Sequence, residues 1–161
     1  MLDRPQTTPQ DPTLDERALA RALSGQHLIG GRLVPARSGK TFPVVNPATG
    51  EQVAEAADGD AADVEAAVAD ADRAQQEWAK LASRKRGALV ARCATVLRDH
   101  VEELARLIAL ETGKALRTES RVEAQTVADI FEFYGGLGGE LKGETVPFAP
   151  DVLSVTVREP L

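Results

Sequence analysis

The spacing of hydrophobic and polar positions changes twice along this chain, from short alternating runs to helical periods and back. Residues 27–57 contain three short β-branched or alternating runs, HLIGGRLVPA, TFPVVNP and GEQVAEAA. Two apolar runs flanking a Gly-Gly pair are a strong signal of a tight hairpin. The pattern therefore predicts a small β region with a tight turn at Gly30-Gly31.

Helical spacing begins after Asp60, which we predict to cap a first helix. Asp63 falls in the first turn, where a negative charge suits the helix dipole. We expect Trp78 to be at least partly buried on the apolar stripe of this helix. That stripe comprises Val64, Ala67, Val68, Ala71, Ala74 and Trp78.

Two further helical runs follow. The second begins near Ser83, ends at Gly113, and forms two helices or one helix broken near His100. The helical pattern of the third run ends at GGLGGE, which we interpret as a flexible helix exit. The predicted core positions are Leu89, Val90, Cys93, Val96, Leu97, Val101, Leu104, Leu107 and Ile108 in the second run, and Val122, Val127, Ile130, Phe131, Tyr134 and Leu137 in the third.

The two ends of the chain differ in character. Residues 1–12 are polar and predict a mobile tail, and residues 13–24 predict a short helix capped at Thr13. The closing segment ETVPFAPDVLSVTVREP alternates, as a β-hairpin does. Its last strand needs a sheet to join, and the rest of the chain offers little partner surface.

Composition narrows the class of protein. The 161 residues carry a formal net charge of −6, so the basic surface that binds nucleic acid or an anionic membrane is missing. No apolar run is long enough to span a bilayer, and the N-terminus lacks an apolar signal core. A single cysteine excludes an internal disulfide and a Cys/His zinc cluster. We therefore predict a cytoplasmic protein with no nucleic-acid or membrane partner.

The GKT motif at residues 39–41 matches the end of a phosphate-binding loop. The first glycine of such a loop is replaced by Val34, and Pro35 lies inside it. No helical pattern follows Thr41, whereas a phosphate loop opens into a helix. We therefore interpret this segment as scaffold.

Two other features suggest chemistry. YGGLGGE supplies two glycines of a dinucleotide fingerprint, but Leu141 replaces the third and the segment follows a helix. Cys93 lies on an apolar stripe, which predicts core packing in preference to a nucleophile. His100, near the helix break, is predicted to be a surface or capping residue.

Glu111 ends an apolar helical run, where the helix dipole opposes a negative charge. Either Lys114 or a bound cation would offset that charge. The alternative is a partly exposed surface glutamate.

Several segments taken together resemble the NAD(P)-dependent aldehyde dehydrogenases, from about His27 to Leu161. They are IGGRLVPARSGKTFPVVNPATGEQVAEAADGDAADVEAAVADADRA, LARLIALETGKAL, IFEFYGGLGGELKGETVP and SVTVREPL. Within that superfamily the chain is most similar to betaine-aldehyde-type members. The resemblance implies an α/β fold, of which this chain is the N-terminal part with an incomplete Rossmann core.

The resemblance also implies a domain layout. Residues 1–26 would be a tail and short helix, residues 27–144 the N-terminal part of the cofactor domain, and residues 145–161 an oligomerisation hairpin. The complete enzyme would oxidise an aldehyde with NAD or NADP and form a homo-oligomer through the hairpin at 145–158. Alternatively, the chain is a non-enzymatic association module, or a remnant, that pairs through that hairpin.

The family implies one metal site here and no catalytic one. Many members bind a monovalent cation at the positions of Val44, Val45 and Glu111, although many carry Asp at the last position. The family's Pro-Trp-Asn segment, cofactor-binding residues, nucleophilic cysteine and catalytic glutamate would all follow Leu161. Cys93 does not match the nucleophile position, so we expect the isolated chain to be inactive.

Overall fold

Helices and antiparallel hairpins alternate along residues 15–159, the part of the chain that this computed structural model describes. The elements are α1 Glu16–Ala22, β1 Gln26–Ile29, β2 Arg32–Pro35, β3 Thr41–Val45, β4 Gln52–Ala57, α2 Ala61–Lys80, α3 Ser83–Asp99, α4 Val101–Thr112, α5 Arg121–Gly136, β5 Thr145–Ala149 and β6 Val152–Val155. A π-helical turn, Leu116–Ser120, precedes α5, and a 3₁₀ turn, Leu137–Gly139, follows it. The strands form three separate two-stranded sheets.

The predicted β region is confirmed as two hairpins. In β1–β2, Ile29 pairs with Arg32, and Gly30 and Gly31 have φ of 60° and 71°. A two-residue turn of this kind needs positive φ at both positions, which explains the Gly-Gly pair. In β3–β4 the register shifts between Val44 and Val45.

Helix α1 begins later than predicted. Its cap is Asp15, whose carboxylate accepts hydrogen bonds from the backbone N–H groups of Arg17 and Ala18. The predicted cap Thr13 and the predicted tail, residues 1–12, lie outside the described residues. The helix is tied to the turn after β3 by an ion pair between Arg17 and Glu51 at 2.7 Å.

Helix α2 has the predicted cap but an unexpected orientation. Asp60 and Asp63 form a reciprocal capping box, which confirms both assignments. Trp78 is partly covered at 36% exposure, but Val64 and Val68 are 60% and 62% exposed. Most of the apolar stripe therefore faces solvent. The side of α2 that faces the β1–β2 hairpin carries Asp63 and Asp70 with two alanines, and Val64 and Ala67 of the stripe border a smaller cavity beside β1.

The second helical run is two helices, separated at His100 as predicted. Helix α4 ends at Gly113, which adopts the left-handed conformation with φ of 74°. His100 is exposed and hydrogen-bonds Glu103 at 2.9 Å, as expected of a surface residue at a helix break.

Helices α3 and α5 pack through small residues, and this corrects two predictions. Gly87 and Ala94 of α3 are buried against α5, whereas Cys93 and Val96 are exposed, so the predicted core position of Cys93 is wrong. The helices approach too closely to hold a stripe of larger side chains between them. On α5 the buried residues are Ala124, Ala128 and Gly135, and the predicted core residues Val122, Val127, Ile130, Phe131, Tyr134 and Leu137 remain exposed.

The glycine-rich exit of α5 packs against α3, and its predicted flexibility stays a prediction. Gly135 and Gly136 continue the helix, and a Cβ added to Gly135 would lie 2.6 Å from the backbone nitrogen of Ala91. A Cβ on Gly87 would collide with the carbonyl oxygen of Gly135. Glycine is needed here because the two backbones touch.

A second, smaller core joins α1, β3–β4 and α4. Ala20, Val53 and Leu110 are buried together, with Val44 and Leu107 partly buried against them. This cluster fixes the end of β3 beside the end of α4, and so positions the candidate site described below.

An ion-pair cluster links α4 to the start of α5. The Glu102 carboxylate accepts from Arg121 Nε and Nη2, both at 2.9 Å, and from Arg106 Nε at 3.3 Å. The hydrogen bonds from Arg121, more than the charges of Arg121 and Arg106, hold the pKa of Glu102 below its ordinary value. The folded state therefore keeps Glu102 ionised to lower pH than the unfolded chain does.

This cluster predicts an acid-sensitive contribution to stability. The pKa of Glu102 is lower in the folded state, so its contribution is complete above about pH 4.3, the ordinary glutamate pKa. It is lost as pH falls through the folded-state pKa. Glu102→Gln should cost about 1 kcal/mol of unfolding free energy at neutral pH. Urea titrations of both proteins should show the difference shrinking below about pH 4. A difference that stayed constant from neutral pH to about pH 3 would contradict this assignment.

Candidate functional site

Two of the three predicted cation-site residues line one cleft. Val44 of β3 and Glu111 of α4 both border a cavity of about 210 Å³, which Ala20 and Leu23 also line. The small core holds these elements together, since Val44 packs on the cluster that contains Leu110. Strand and helix thus bring together a strand end and a carboxylate that are distant in sequence.

Val45 lies at the rim of this arrangement. It is exposed, does not line the cleft, and sits where the β3–β4 register shifts. The following turn is tight, with the Asn46 backbone N–H donating to the Glu51 carbonyl at 2.9 Å. The assignment of Val44, Val45 and Glu111 as cation ligands stays a prediction.

The charge of Glu111 is not offset by Lys114. Lys114 Nζ instead binds both carboxylate oxygens of Glu123, at 2.9 and 2.8 Å. Within residues 15–159 Glu111 forms no salt bridge, and no cluster of three or more His, Cys, Asp or Glu residues could hold a metal ion. A cation here would depend on one carboxylate and carbonyl oxygens, a hard, singly charged donor set that suits a monovalent ion.

Gly113 joins α4 to the turn beside the cleft. Its φ is 74°, and an added Cβ would lie 2.9 Å from Pro47 Cγ. Gly50 has the same kind of conformation, φ 72°, with nothing within 4 Å. The two glycines differ in surroundings and not in backbone strain.

This pair gives a matched test of the junction. Gly50→Ala should lower the unfolding free energy by about 1–2 kcal/mol through left-handed strain alone. Gly113→Ala should cost at least about 1 kcal/mol more, because Pro47 must also move. Chemical denaturation measures both. Equal costs would show that the contact between Pro47 and Gly113 carries no packing energy.

The GKT segment is scaffold, as predicted. Gly39 forms a turn in which its N–H donates to the Ala36 carbonyl at 2.8 Å, and Thr41 begins strand β3. A phosphate loop would open into a helix.

The closing hairpin is confirmed and stands apart from the other elements. Strand β5 pairs with β6, Thr145 opposite Val155, and the Thr156 N–H donates to the Glu144 carbonyl at 2.8 Å. Phe148 and Leu153 are each 80% exposed. Within residues 15–159 the two strands pair only with each other, so the hairpin presents apolar side chains to solvent and leaves both strand edges unpaired there.

A family comparison accounts for this combination of elements. The family model described as "Aldehyde dehydrogenase family" matches residues 33–161, which is most of the chain. The chain belongs to the aldehyde dehydrogenase family.

Several solved structures share the fold of this chain over part of their length. Betaine aldehyde dehydrogenase from Staphylococcus aureus, solved with NAD⁺, is 32% identical, with a TM-score of 0.83 over 90% of this chain and 29% of that one. PnpE, solved with nicotinamide adenine dinucleotide, is 36% identical, with a TM-score of 0.77 over 81% and 27%. HpcC from Thermus thermophilus is 32% identical, with a TM-score of 0.79 over 86% and 27%. The chain thus spans less than a third of each of these structures.

The family match confirms the predicted fold class, the N-terminal part of the aldehyde dehydrogenase α/β fold. Over residues 15–159, no helix is both long and apolar enough to cross a bilayer. The contact between Gly87 and Gly135 was not predicted from the sequence. The one available signal was a glycine within each of the two helical patterns, which permits two helix backbones to approach closely. A group of arginines beside α2 was not predicted either, because its members come from separate elements.

Proposed function

We propose that this chain forms the N-terminal part of an NAD(P)-dependent aldehyde dehydrogenase that oxidises an aldehyde to a carboxylic acid. The observation that carries the proposal is the family match over residues 33–161, with alignment to less than a third of each solved relative. The S. aureus relative was solved with NAD⁺, which supports a nicotinamide cofactor as hydride acceptor. The same relative is a betaine aldehyde dehydrogenase, which favours that subgroup.

The unpartnered apolar faces support a larger folding unit. Helix α5 exposes Ile130, Phe131, Phe133 and Tyr134, which occupy more than one side of the helix. A group of exposed large apolar side chains is typical of a surface that another part of a protein covers. The outward stripe of α2 is of the same kind. We assign residues 27–144 to the N-terminal part of the cofactor domain, with further sequence covering these faces.

The isolated chain should have no dehydrogenase activity. Covalent catalysis requires a nucleophile and a base in one pocket. Cys93, the one cysteine of the sequence, is exposed in the middle of α3, and its one hydrogen bond within residues 15–159 joins Sγ to the Leu89 carbonyl at 3.7 Å. A surface thiol without a neighbouring base offers no such pocket.

A parallel assay tests the proposal. The purified 161-residue chain and the longer in-frame product are each mixed with betaine aldehyde and with simple aliphatic aldehydes, plus NAD⁺ or NADP⁺. Formation of reduced nicotinamide is followed by absorbance. We expect turnover by the longer product and none by the chain alone. Turnover by the chain alone would overturn the prediction that it is inactive. Loss of that turnover in Cys93→Ser would also overturn the view that this cysteine is inert.

The hairpin is the proposed assembly element. Its apolar side chains and free strand edges suit addition to another sheet, so we assign residues 145–161 to a homo-oligomer interface of the longer enzyme. The same exposure supports a second candidate, a non-enzymatic module that associates through residues 145–158. A remnant with poor solubility is the third, since it exposes the same apolar surface.

The cleft at Glu111 is the proposed cation site. The Glu111 carboxylate, with carbonyl oxygens near Val44 and Val45, would hold a monovalent ion. In the longer enzyme, potassium or sodium should raise the thermal midpoint relative to a bulky ammonium salt at equal ionic strength, and Glu111→Gln should remove the difference. An unchanged difference in the variant would exclude Glu111 as a ligand.

A further inference from the structure

A groove of about 320 Å³ runs between the β1–β2 hairpin and helix α2, and it shares no lining residue with the cleft at Glu111. Its apolar part is formed by Ile29, Val34 and Pro35 of the hairpin and by two alanines of α2. Its charged part contains Arg32, Arg37 and Arg73 with Asp63 and Asp70. The groove is therefore an apolar strip bordered by three guanidinium groups.

The two carboxylates of the groove are already engaged. Asp63 is buried and accepts from the Arg37 backbone N–H at 2.9 Å and the Asp60 backbone N–H at 3.1 Å. These backbone bonds, more than any nearby charge, lower the pKa of Asp63. Asp70 binds Arg73 at 2.7 Å. Among the described residues, Asp63 acts on the Arg37 guanidinium through its charge alone, and neither aspartate forms an ion pair with Arg32 or Arg37.

Arg32 and Arg37 are left without a partner. In the described part of the chain, neither guanidinium forms a hydrogen bond or a salt bridge. Three arginines against two aspartates leave the groove with one net positive charge, in a chain whose net charge is −6. An unpaired pair of guanidinium groups beside apolar surface is suited to one organic anion.

The groove is held in place by backbone contacts. The Asp63 carboxylate fixes the start of α2 against the backbone of Arg37. At the other end, Gly30 of the hairpin turn lies against the Asp70 carboxylate, since an added Cβ would be 3.4 Å from its oxygens. The two walls therefore belong to one arrangement, and a ligand need not assemble it.

We infer that this groove binds a small organic carboxylate whose apolar body lies on the Ile29–Val34 strip and whose carboxylate meets Arg32 and Arg37. The cavity volume is at the lower end of the range that small-molecule sites show. A single net positive charge matches a monocarboxylate better than a phosphate dianion. The apolar strip offers no hydrogen-bond donors for additional phosphate oxygens.

The product of aldehyde oxidation is itself a carboxylate, so the product is the first physiological candidate for the ligand. This choice of ligand rests on the proposed function, whereas the binding site itself does not. The binding test needs neither aldehyde nor nicotinamide cofactor. A failed binding test would leave the enzymatic proposal intact, and an inactive longer product would leave the groove intact.

The test is a titration of the ¹⁵N-labelled 161-residue chain with hexanoate, followed by amide chemical shifts. Hexanol and inorganic phosphate are the comparison probes, each at the same ionic strength. The double variant Arg32→Gln/Arg37→Gln removes the two free guanidinium groups. The double variant Lys85→Gln/Arg117→Gln removes the same charge elsewhere and is the matched control.

With hexanoate, we expect saturable chemical-shift changes confined to residues 29–37 and 62–73. The affinity for hexanoate should fall at least tenfold in the Arg32/Arg37 variant and stay unchanged in the control variant. Hexanol and phosphate should each bind at least tenfold more weakly. Chemical-shift changes spread over the whole surface would contradict a binding site in the groove. An equal loss of hexanoate affinity in both double variants would contradict it as well. Equal binding of phosphate would overturn the assignment of a carboxylate with an apolar body.

Discussion

Gly135→Ala should lower the unfolding free energy of this chain by about 2 kcal/mol or more, although alanine is the better helix former. The added methyl group would lie 2.6–2.8 Å from the backbone and Cβ of Ala91, so helices α3 and α5 must separate. Separation also loosens the buried contacts of Ala94 and Ala128. Urea denaturation followed by far-ultraviolet circular dichroism measures the cost.

The neighbouring glycine is the control. Gly136 lies in the same helix, and an added Cβ would meet nothing within 4 Å. Gly136→Ala should therefore stabilise the chain by about 0.5–1 kcal/mol through helix propensity. Similar effects for the two variants, in either direction, would refute the close contact between α3 and α5.

Replacing Leu153 by Asp should dissociate the proposed oligomer of the longer product while leaving the isolated chain as stable as before. Leu153 is 80% exposed and its hairpin packs mainly on itself, so the isolated chain loses no buried contact. In the proposed inter-subunit sheet the same side chain would be covered, and a buried unpaired carboxylate would be strongly unfavourable. Light scattering gives the mass of the longer product, and denaturation gives the stability of the chain.

Asp151→Asn is the matched control, because it changes a charge in the turn of the same hairpin without touching an apolar side chain. We expect its oligomer to keep the parent mass. An oligomer that survived Leu153→Asp would remove the hairpin from the interface. A clean monomer of the isolated chain at high concentration would weigh against the association-module alternative.

The elements that were predictable are those set by local sequence. Gly30-Gly31 demands a positive-φ turn, Asp60 with Asp63 makes a capping box, and Gly113 ends a helix. Each depends on a few adjacent residues, so the pattern alone suffices. Asp15, two residues after the predicted cap Thr13, caps α1, because both residue types can accept from the backbone at a helix start.

Which helix face becomes buried was not predictable in the same way. Cys93 was placed in the core because it continues an apolar stripe, but α3 presents Gly87 and Ala94 to α5. Large apolar residues mark a surface that needs a partner, and nothing in their spacing says whether that partner lies within these residues. Val64 and Phe131 follow the same rule.

Neither candidate site could be predicted from local sequence patterns. The cleft that joins Val44 to Glu111 was anticipated only through the family resemblance, because no local pattern connects a strand end to a distant helix end. The groove of Arg32 and Arg37 became visible only when α2 was placed against the hairpin. Isolated arginines at those positions would otherwise be interpreted as solvated surface.

We propose that these residues are the N-terminal part of an aldehyde dehydrogenase. The most direct measurement is to sequence the source genome immediately downstream of the Leu161 codon. We expect an open frame that continues into a Pro-Trp-Asn segment and later reaches a nucleophilic cysteine. A stop codon directly after Leu161 would contradict that claim and would leave the association module or the remnant as the function to test.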